Sequence, residues 1–130
     1  AYWLDRFDNA IQRKELRQVL EMLAPEIVAT AHVRNGSETM LLEFDREEMV
    51  KSTIASISSI KDYQYRRTTL EAALAPGETE AGCQRLTVRS VAIEQGLMNG
   101  KPYRVEAQEE YLLERRGQEW LAVKAETRQR

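Results

Sequence analysis

The sequence predicts an α+β domain from three observations. Residues 84–128 read as three consecutive antiparallel strands, joined at Asn99-Gly100 and Arg116-Gly117, both short-turn signals. Residues 2–23 carry apolar residues at helical spacing. Between these regions lie a hairpin pattern about Asn35-Gly36 and one further helical stripe.

In chain order, Leu4, Phe7 and Ile11 form one helical stripe, and Leu16, Val19, Leu20 and Leu23 form another. The polar run Gln12-Arg13-Lys14-Glu15 separates them with an error of phase, which predicts two helices broken at Arg13–Glu15, both laid on the sheet. Ala24-Pro25 should end the second, because the residue before proline avoids the helical region. Residues 27–34 and 38–44 form the hairpin. Asp45 and Glu48 then stand at capping-box spacing, and Met49, Val50, Thr53, Ile54, Ile57 and Ile60 predict a third helix ending near 60–62. Residues 63–74 are a long strand whose alternation changes phase near Thr69–Leu70. A Pro/Gly/Glu-rich loop runs from Ala75 to Gly82. In 84–95, Leu86 and Val88 lie on one parity and Val91 and Ile93 on the other, which predicts a β-bulge near Ser90.

The strand after Asn99-Gly100 is the clearest. Tyr103, Val105, Ala107, Tyr111 and Leu113 alternate with Arg104, Glu106, Gln108, Glu110 and Leu112. Glu109 breaks the pattern by falling on the apolar side. A two-residue turn at Arg116-Gly117 would pair Leu113 with Trp120, Tyr111 with Ala122, Leu112 with Leu121, and Glu109 with Lys124.

A chain of 130 residues, 42% hydrophobic and 31% charged, fits one domain spanning 1–130 with a real core. A net charge of -2 gives no reason to expect nucleic acid or an anionic membrane as partner, and no apolar run is long enough to span a bilayer. Cys83 and His32 are each the sole residue of their type, so no internal disulfide forms, and neither a metal site nor a cofactor is expected. Cys83 reads as a passive thiol. The chain begins at Ala1 rather than Met; a removed leader or tag, or a trimmed start, would account for this, and the expectation leans towards an exported protein.

The order helix, helix, hairpin, helix and four long strands with a bend, closed by Glu114-Arg115-Arg116-Gly117-Gln118-Glu119-Trp120-Leu121-Ala122-Val123, resembles the nuclear transport factor 2-like superfamily. Ketosteroid isomerase and SnoaL-type polyketide cyclases share that fold. The resemblance covers residues 2–127, and its motifs specify architecture rather than activity. It implies a cone: a curved mixed sheet wrapped around three helices, with a pocket opening between them and dimers formed through the sheet's outer face. Enzymes, binding proteins and assembly modules all occur in the superfamily, so the fold does not choose among them. Its steroid isomerases use an Asp general base on an early strand, where this chain supplies only His32, Glu38 and Glu43. Its dehydratase-like members pair His with Asp and Tyr, and here there is one His.

Glu109 is the candidate catalytic residue. With Lys124 opposite and Tyr111 beside it, it would anchor a polar ligand or act as a general base; the plainer reading is a structural ion pair at the rim. Tyr63, Tyr65 and Arg67 share one strand face and could line a pocket with hydroxyls and a cation, or be amphipathic residues at the core edge. Trp120 and His32 complete the ligand-binding candidates; for His32 a local hydrogen bond is the plainer role. Leu112, Leu121, Val123 and Ala125 would form an apolar outer patch for a homodimer, rimmed by Arg104, Glu106, Gln108 and Glu110.

The leading function is a non-catalytic module binding a small apolar or polar-headed molecule, or a protein, in the cone. One alternative is a cofactor-independent lyase, isomerase or cyclase using Glu109 as base with Tyr111 or Tyr63 as donor. The other is an assembly domain acting through the outer sheet face, which would show a filled cone and a broad apolar outer surface.

Overall fold

The computed structural model describes residues 2–75 and 84–130. Cys83 and the predicted loop beyond Ala75 lie outside the described residues. The elements are α1 (Tyr2–Gln12), α2 (Leu16–Glu21), β1 (Leu23–Asn35), β2 (Glu38–Phe44), α3 (Arg46–Ser58), β3 (Lys61–Leu74), β4 (Arg85–Met98), β5 (Lys101–Arg116) and β6 (Glu119–Gln129). Six strands form one curved, open sheet in the order β2-β1-β6-β5-β4-β3. Every neighbouring pair is antiparallel except β1 with β6, so the sheet is mixed.

The helices break where the sequence changes phase. Lys14 takes φ 57, a left-handed conformation that an α-helix cannot continue through, and α2 restarts after Glu15. The second helix ends earlier than expected, at Glu21, because Leu23 already pairs with Ala122 of β6. Ala24 and Pro25 lie inside β1, where the ladder is irregular between Leu23 and Val28; an irregularity tolerates a proline that has no N–H to donate. Helix α3 opens on the predicted capping box. The Asp45 carboxylate accepts from Glu48 N at 2.9 Å, and Glu48 Oε1 accepts from Asp45 N at 3.0 Å. Arg46 donates through Nε to the Leu20 carbonyl at 3.0 Å, which ties the start of α3 to the end of α2.

Helices and concave sheet face close over a core of Trp3, Leu4, Phe7, Val19, Leu23, Ile27, Val50, Val88, Tyr111 and Leu113, among others. Tyr111 and Leu113 point inward and Leu112 outward, as the alternation of β5 requires.

Three registers differ from expectation. The turns fall on Gly36-Ser37 and Gly117-Gln118, one residue later than read, because Asn35 pairs with Glu38 and Arg116 with Glu119. Each glycine takes a positive φ at the first turn position, where a two-residue hairpin needs it. The β5–β6 ladder then shifts between Leu112 and Leu113, so Leu113 faces Ala122, Leu112 faces Lys124 and Glu109 faces Thr127. The same shift turns Ala125 inward, where it is buried in the core, and removes it from the outer patch that Leu112, Leu121 and Val123 share.

The bulge near Ser90 is the third. The β4–β5 ladder is regular from Arg85 to Met98. The irregularity lies in the β3–β4 ladder between Arg67↔Ala92 and Thr69↔Val91, so the extra residue is Thr68 of β3. It sits at the phase change read in the sequence of β3. Ser90, the buried polar residue of the core, donates its hydroxyl to the Thr69 carbonyl at 2.7 Å beside this bulge.

At the other end of β3–β4, Gly96 lets the strand pass close to the α3–β3 junction. A Cβ at Gly96 would overlap Ile60 Cγ2 and come within 2.7 Å of the Lys61 carbonyl. Gly96→Ala should therefore destabilise the protein by about 1–3 kcal/mol, read as a lowered urea midpoint with unchanged slope. An unchanged midpoint would mean that the junction yields freely.

Candidate functional site

Small side chains leave the centre of the concave face unfilled. Ala29 and Ala31 of β1 and Ala125 of β6 meet along the parallel seam, and side chains this short cannot reach the helices opposite. A cavity of about 370 Å³ remains. Its apolar wall includes Phe7, Leu42, Phe44 and Met49, and its polar floor is Asp8, Tyr63, Tyr65, Arg67, Glu94, Glu109 and Tyr111. A wider depression of about 600 Å³ adjoins it, sharing Tyr63 and Tyr65 and running past Lys14 and Gln95.

Each polar side chain arrives by simple strand or helix periodicity. Tyr63, Tyr65 and Arg67 are alternate residues of β3, Glu109 and Tyr111 of β5. Asp8 extends the α1 stripe, four residues after Leu4. Glu94 shares the inward parity of Val88, Ser90 and Ala92.

Arg67 is the hub. It grips Asp8 with two parallel hydrogen bonds, Nε to Oδ2 and Nη2 to Oδ1, both 2.8 Å. Its Nη1 reaches Glu109 Oε1 at 2.7 Å, and its guanidinium lies 5.2 Å from the centre of the Tyr65 ring. The three side chains are 12% (Arg67), 19% (Asp8) and 14% (Glu109) exposed, so the network is shielded from bulk water. The Tyr65 and Tyr111 hydroxyls both donate to Glu109 Oε1, each at 3.3 Å. Tyr63 donates to Glu94 Oε2 at 3.0 Å, and its ring stacks on Tyr65 with centroids 6.4 Å apart. Behind Tyr111, Trp3 and Phe7 stack at 4.9 Å, with Trp3 Nε1 buried and without a hydrogen-bond partner among the described residues.

Burial pushes the Tyr65 and Tyr111 hydroxyls far above their ordinary value, and the Glu109 charge adds to it. Burial does the same to Tyr63, with Glu94 adding. All three therefore stay neutral donors. Burial works to lower the Arg67 guanidinium, but its bonds to Asp8 and the Glu109 charge outweigh this and hold it above its usual value. Burial raises Glu94, against the opposing Tyr63 hydrogen bond, and the charge of Glu109 raises it further.

Of the residues singled out in the sequence, the cavity gathers Glu109, Tyr63, Tyr65 and Tyr111. Lys124 is not Glu109's partner: the register shift places it opposite Leu112 and exposes it, and Arg67 takes its place. His32 lies on the other face, its Nε2 3.3 Å from Glu126 Oε1. Trp120 packs against the edge of the core, opposite Arg115, and does not reach the cavity. Asp8 and Glu94 are site residues that the sequence reading does not single out: an apolar stripe on α1 does not mark the polar Asp8, and a bulge near Ser90 would turn Glu94 outward.

No family model matches the chain, and no curated protein matches it. Solved structures do. A nuclear transport factor 2-like protein with a cystatin-like fold from Novosphingobium aromaticivorans aligns with TM-score 0.70 at 10% identity, over 98% of this chain and 77% of that one. A candidate dehydratase of the same family from Streptomyces avermitilis aligns with TM-score 0.71 at 11% identity, over 99% and 91%. The beta subunit of a benzoate 1,2-dioxygenase from Burkholderia mallei aligns with TM-score 0.69 at 14% identity, over 99% and 87%. The fold is thus the nuclear transport factor 2-like cone.

Glu94 gives a pH-dependent expectation. A carboxyl raised in the folded state stabilises the fold below its ordinary value of 4.5 and loses that contribution as pH rises through the raised value. Glu94→Gln keeps an acceptor for Tyr63 and carries no charge. It should raise the Tm at pH 7.5, and the gain should vanish below pH 4.5, in paired thermal melts. A gain that persists unchanged at low pH would assign the effect to something other than this ionisation.

Proposed function

We propose that this chain is a single-domain, non-catalytic binding module whose cone holds a small molecule. The observation that carries the reading is an unfilled cavity of about 370 Å³ with an aromatic and aliphatic wall and a convergent polar floor. Its size falls at the small end of ligand pockets, suited to one ring with a short side chain. Tyr63, Tyr65 and Tyr111 contribute surface and hydroxyls, and Glu109 is the polar anchor.

Against the lyase, isomerase or cyclase reading stands the engagement of Glu109. The Glu109 carboxylate is the ion-pair partner of Arg67 and its Oε1 accepts from Arg67, Tyr65 and Tyr111, so a proton taken up by Glu109 would leave Arg67 without one of its two carboxylate partners. The Tyr63 proton is likewise committed, to Glu94. Against the assembly reading stands the cavity itself, where that reading expects a filled cone.

A panel of single-ring fragments, cationic, neutral and anionic, tests the proposal by amide NMR. Shifts should concentrate at Phe7, Tyr65, Tyr111 and Thr127, and Ser56→Trp, which fills the cavity from α3, should abolish them. If no fragment moves these residues, the binding reading falls.

We also propose that two copies associate through the outer sheet face, around Leu112, Leu121 and Val123. These half-buried apolar residues adjoin the exposed Val28, which pairs with Lys124 beside them. Leu112→Glu should convert the dimer to monomer in sedimentation equilibrium without loss of fold; a wild-type chain that is monomeric at high micromolar concentration overturns this.

A further inference from the structure

The hydrogen-bond inventory of the cavity floor is unbalanced. Each hydroxyl proton of Tyr63, Tyr65 and Tyr111 is given to a carboxylate oxygen. Arg67 directs three of its five N–H donors at Asp8 and Glu109. These donors are thus aimed at the protein's own acceptors. Glu109 Oε2 and Glu94 Oε1 receive no protein hydrogen bond among the described residues, and both side chains line the cavity. The Tyr63 and Tyr65 oxygens, their protons committed, also present lone pairs.

Charge runs the same way. Among the described residues, three carboxyl groups, those of Asp8, Glu94 and Glu109, line the cavity against the single guanidinium of Arg67, and the remaining lining residues carry no charge. Arg67 is held between two of the three, so its positive charge is already matched inside the network. An anionic ligand would meet this surplus of carboxyl groups with no free cation to pair with. A cation would meet unspent carboxyl oxygens in a shielded site, where a charge-assisted hydrogen bond is worth roughly twice a neutral one. The aromatic lining of Phe7, Tyr63, Tyr65 and Tyr111 favours a cation in addition, because ring faces carry partial negative charge.

Building on the binding reading, we propose that the cavity selects a cationic ligand: a small molecule with an ammonium or other N–H-bearing cationic head, set between Glu109 Oε2 and Glu94, and one ring or a short aliphatic body along Phe44, Met49 and Leu42. Asp8 and Arg67 are positioning residues. They hold the Glu109 carboxylate so that Oε1 faces the protein and Oε2 faces the cavity.

Three probes that share one phenethyl body and differ in the head group separate this from mere cavity filling: phenethylamine, 2-phenylethanol and 3-phenylpropionate, titrated calorimetrically and by amide NMR at pH 7.5. Phenethylamine should bind about 10-fold or more tightly than 2-phenylethanol, and 3-phenylpropionate more weakly still. Glu109→Gln should cost the amine about 10-fold and leave 2-phenylethanol within about 2-fold. Glu94→Gln, which keeps the Tyr63 hydrogen bond, provides a second variant should Glu109→Gln fail to fold, and it should lower amine affinity in the same direction. If the alcohol or the carboxylate binds the cavity as tightly as the amine, selection for a cation is wrong while the binding module stands. If none of the three shifts the lining residues, both are wrong.

Discussion

The Arg67 guanidinium joins parts of the molecule that the backbone keeps apart. Asp8 comes from the first helix, Arg67 from the edge strand β3 and Glu109 from β5, two strands further into the sheet. Among the described residues no main-chain hydrogen bond links α1 to β3, so the Asp8–Arg67 bridge joins them through side chains. Such a bridge is costly to desolvate, and its net contribution to stability is small while it is intact. Removing one partner is a different matter: an uncompensated buried charge costs about 3–5 kcal/mol. The network therefore acts as a constraint on geometry more than as a source of stability. It fixes which oxygen of Glu109 accepts from the protein: Oε1, from Arg67, Tyr65 and Tyr111.

Much of the fold was legible because local chemistry and tertiary structure agree. The polar run at Gln12–Glu15 marked a true helix break, and Asp45 with Glu48 marked a true capping box. Asn99-Gly100 gave the β4–β5 turn, with both residues at positive φ. What failed was register. A glycine in a turn signal does not say whether it takes the first or second turn position, and Gly36 and Gly117 both take the first. One step of displacement, compounded by the shift beside Leu113, carried Lys124 to the outer surface and Ala125 into the core. The site suffered accordingly. Glu109 was found because it interrupts an apolar face, a signal that needs no partner strand. Its true partner, Arg67, was noticed on the right face of β3 but could not be joined to Glu109 without knowing that β4 lies between them.

The cavity exists by omission. Ala29, Ala31 and Ala125 meet where larger residues would fill the cone, and the same seam holds the sheet's parallel pairing. A Phe or Leu at these positions would extend the core and close the site, so small residues here trade packing for volume.

That seam also bears on how the chain assembles. The hairpin β1–β2 and the meander β3–β4–β5–β6 each form from neighbouring segments, whereas β1 and β6 come from opposite ends of the chain. Closing a loop that long has to precede any reward from its contacts, which gives this pairing the largest closure entropy in the sheet. The lining is split between the two halves, with Ala29, Thr30 and Ala31 on one bank and Ala125, Thr127 and Glu109 on the other. The pocket is therefore a property of the closed seam alone. An occupant that touches both banks binds only the native chain, and by mass action slows its loss to unfolding and proteolysis.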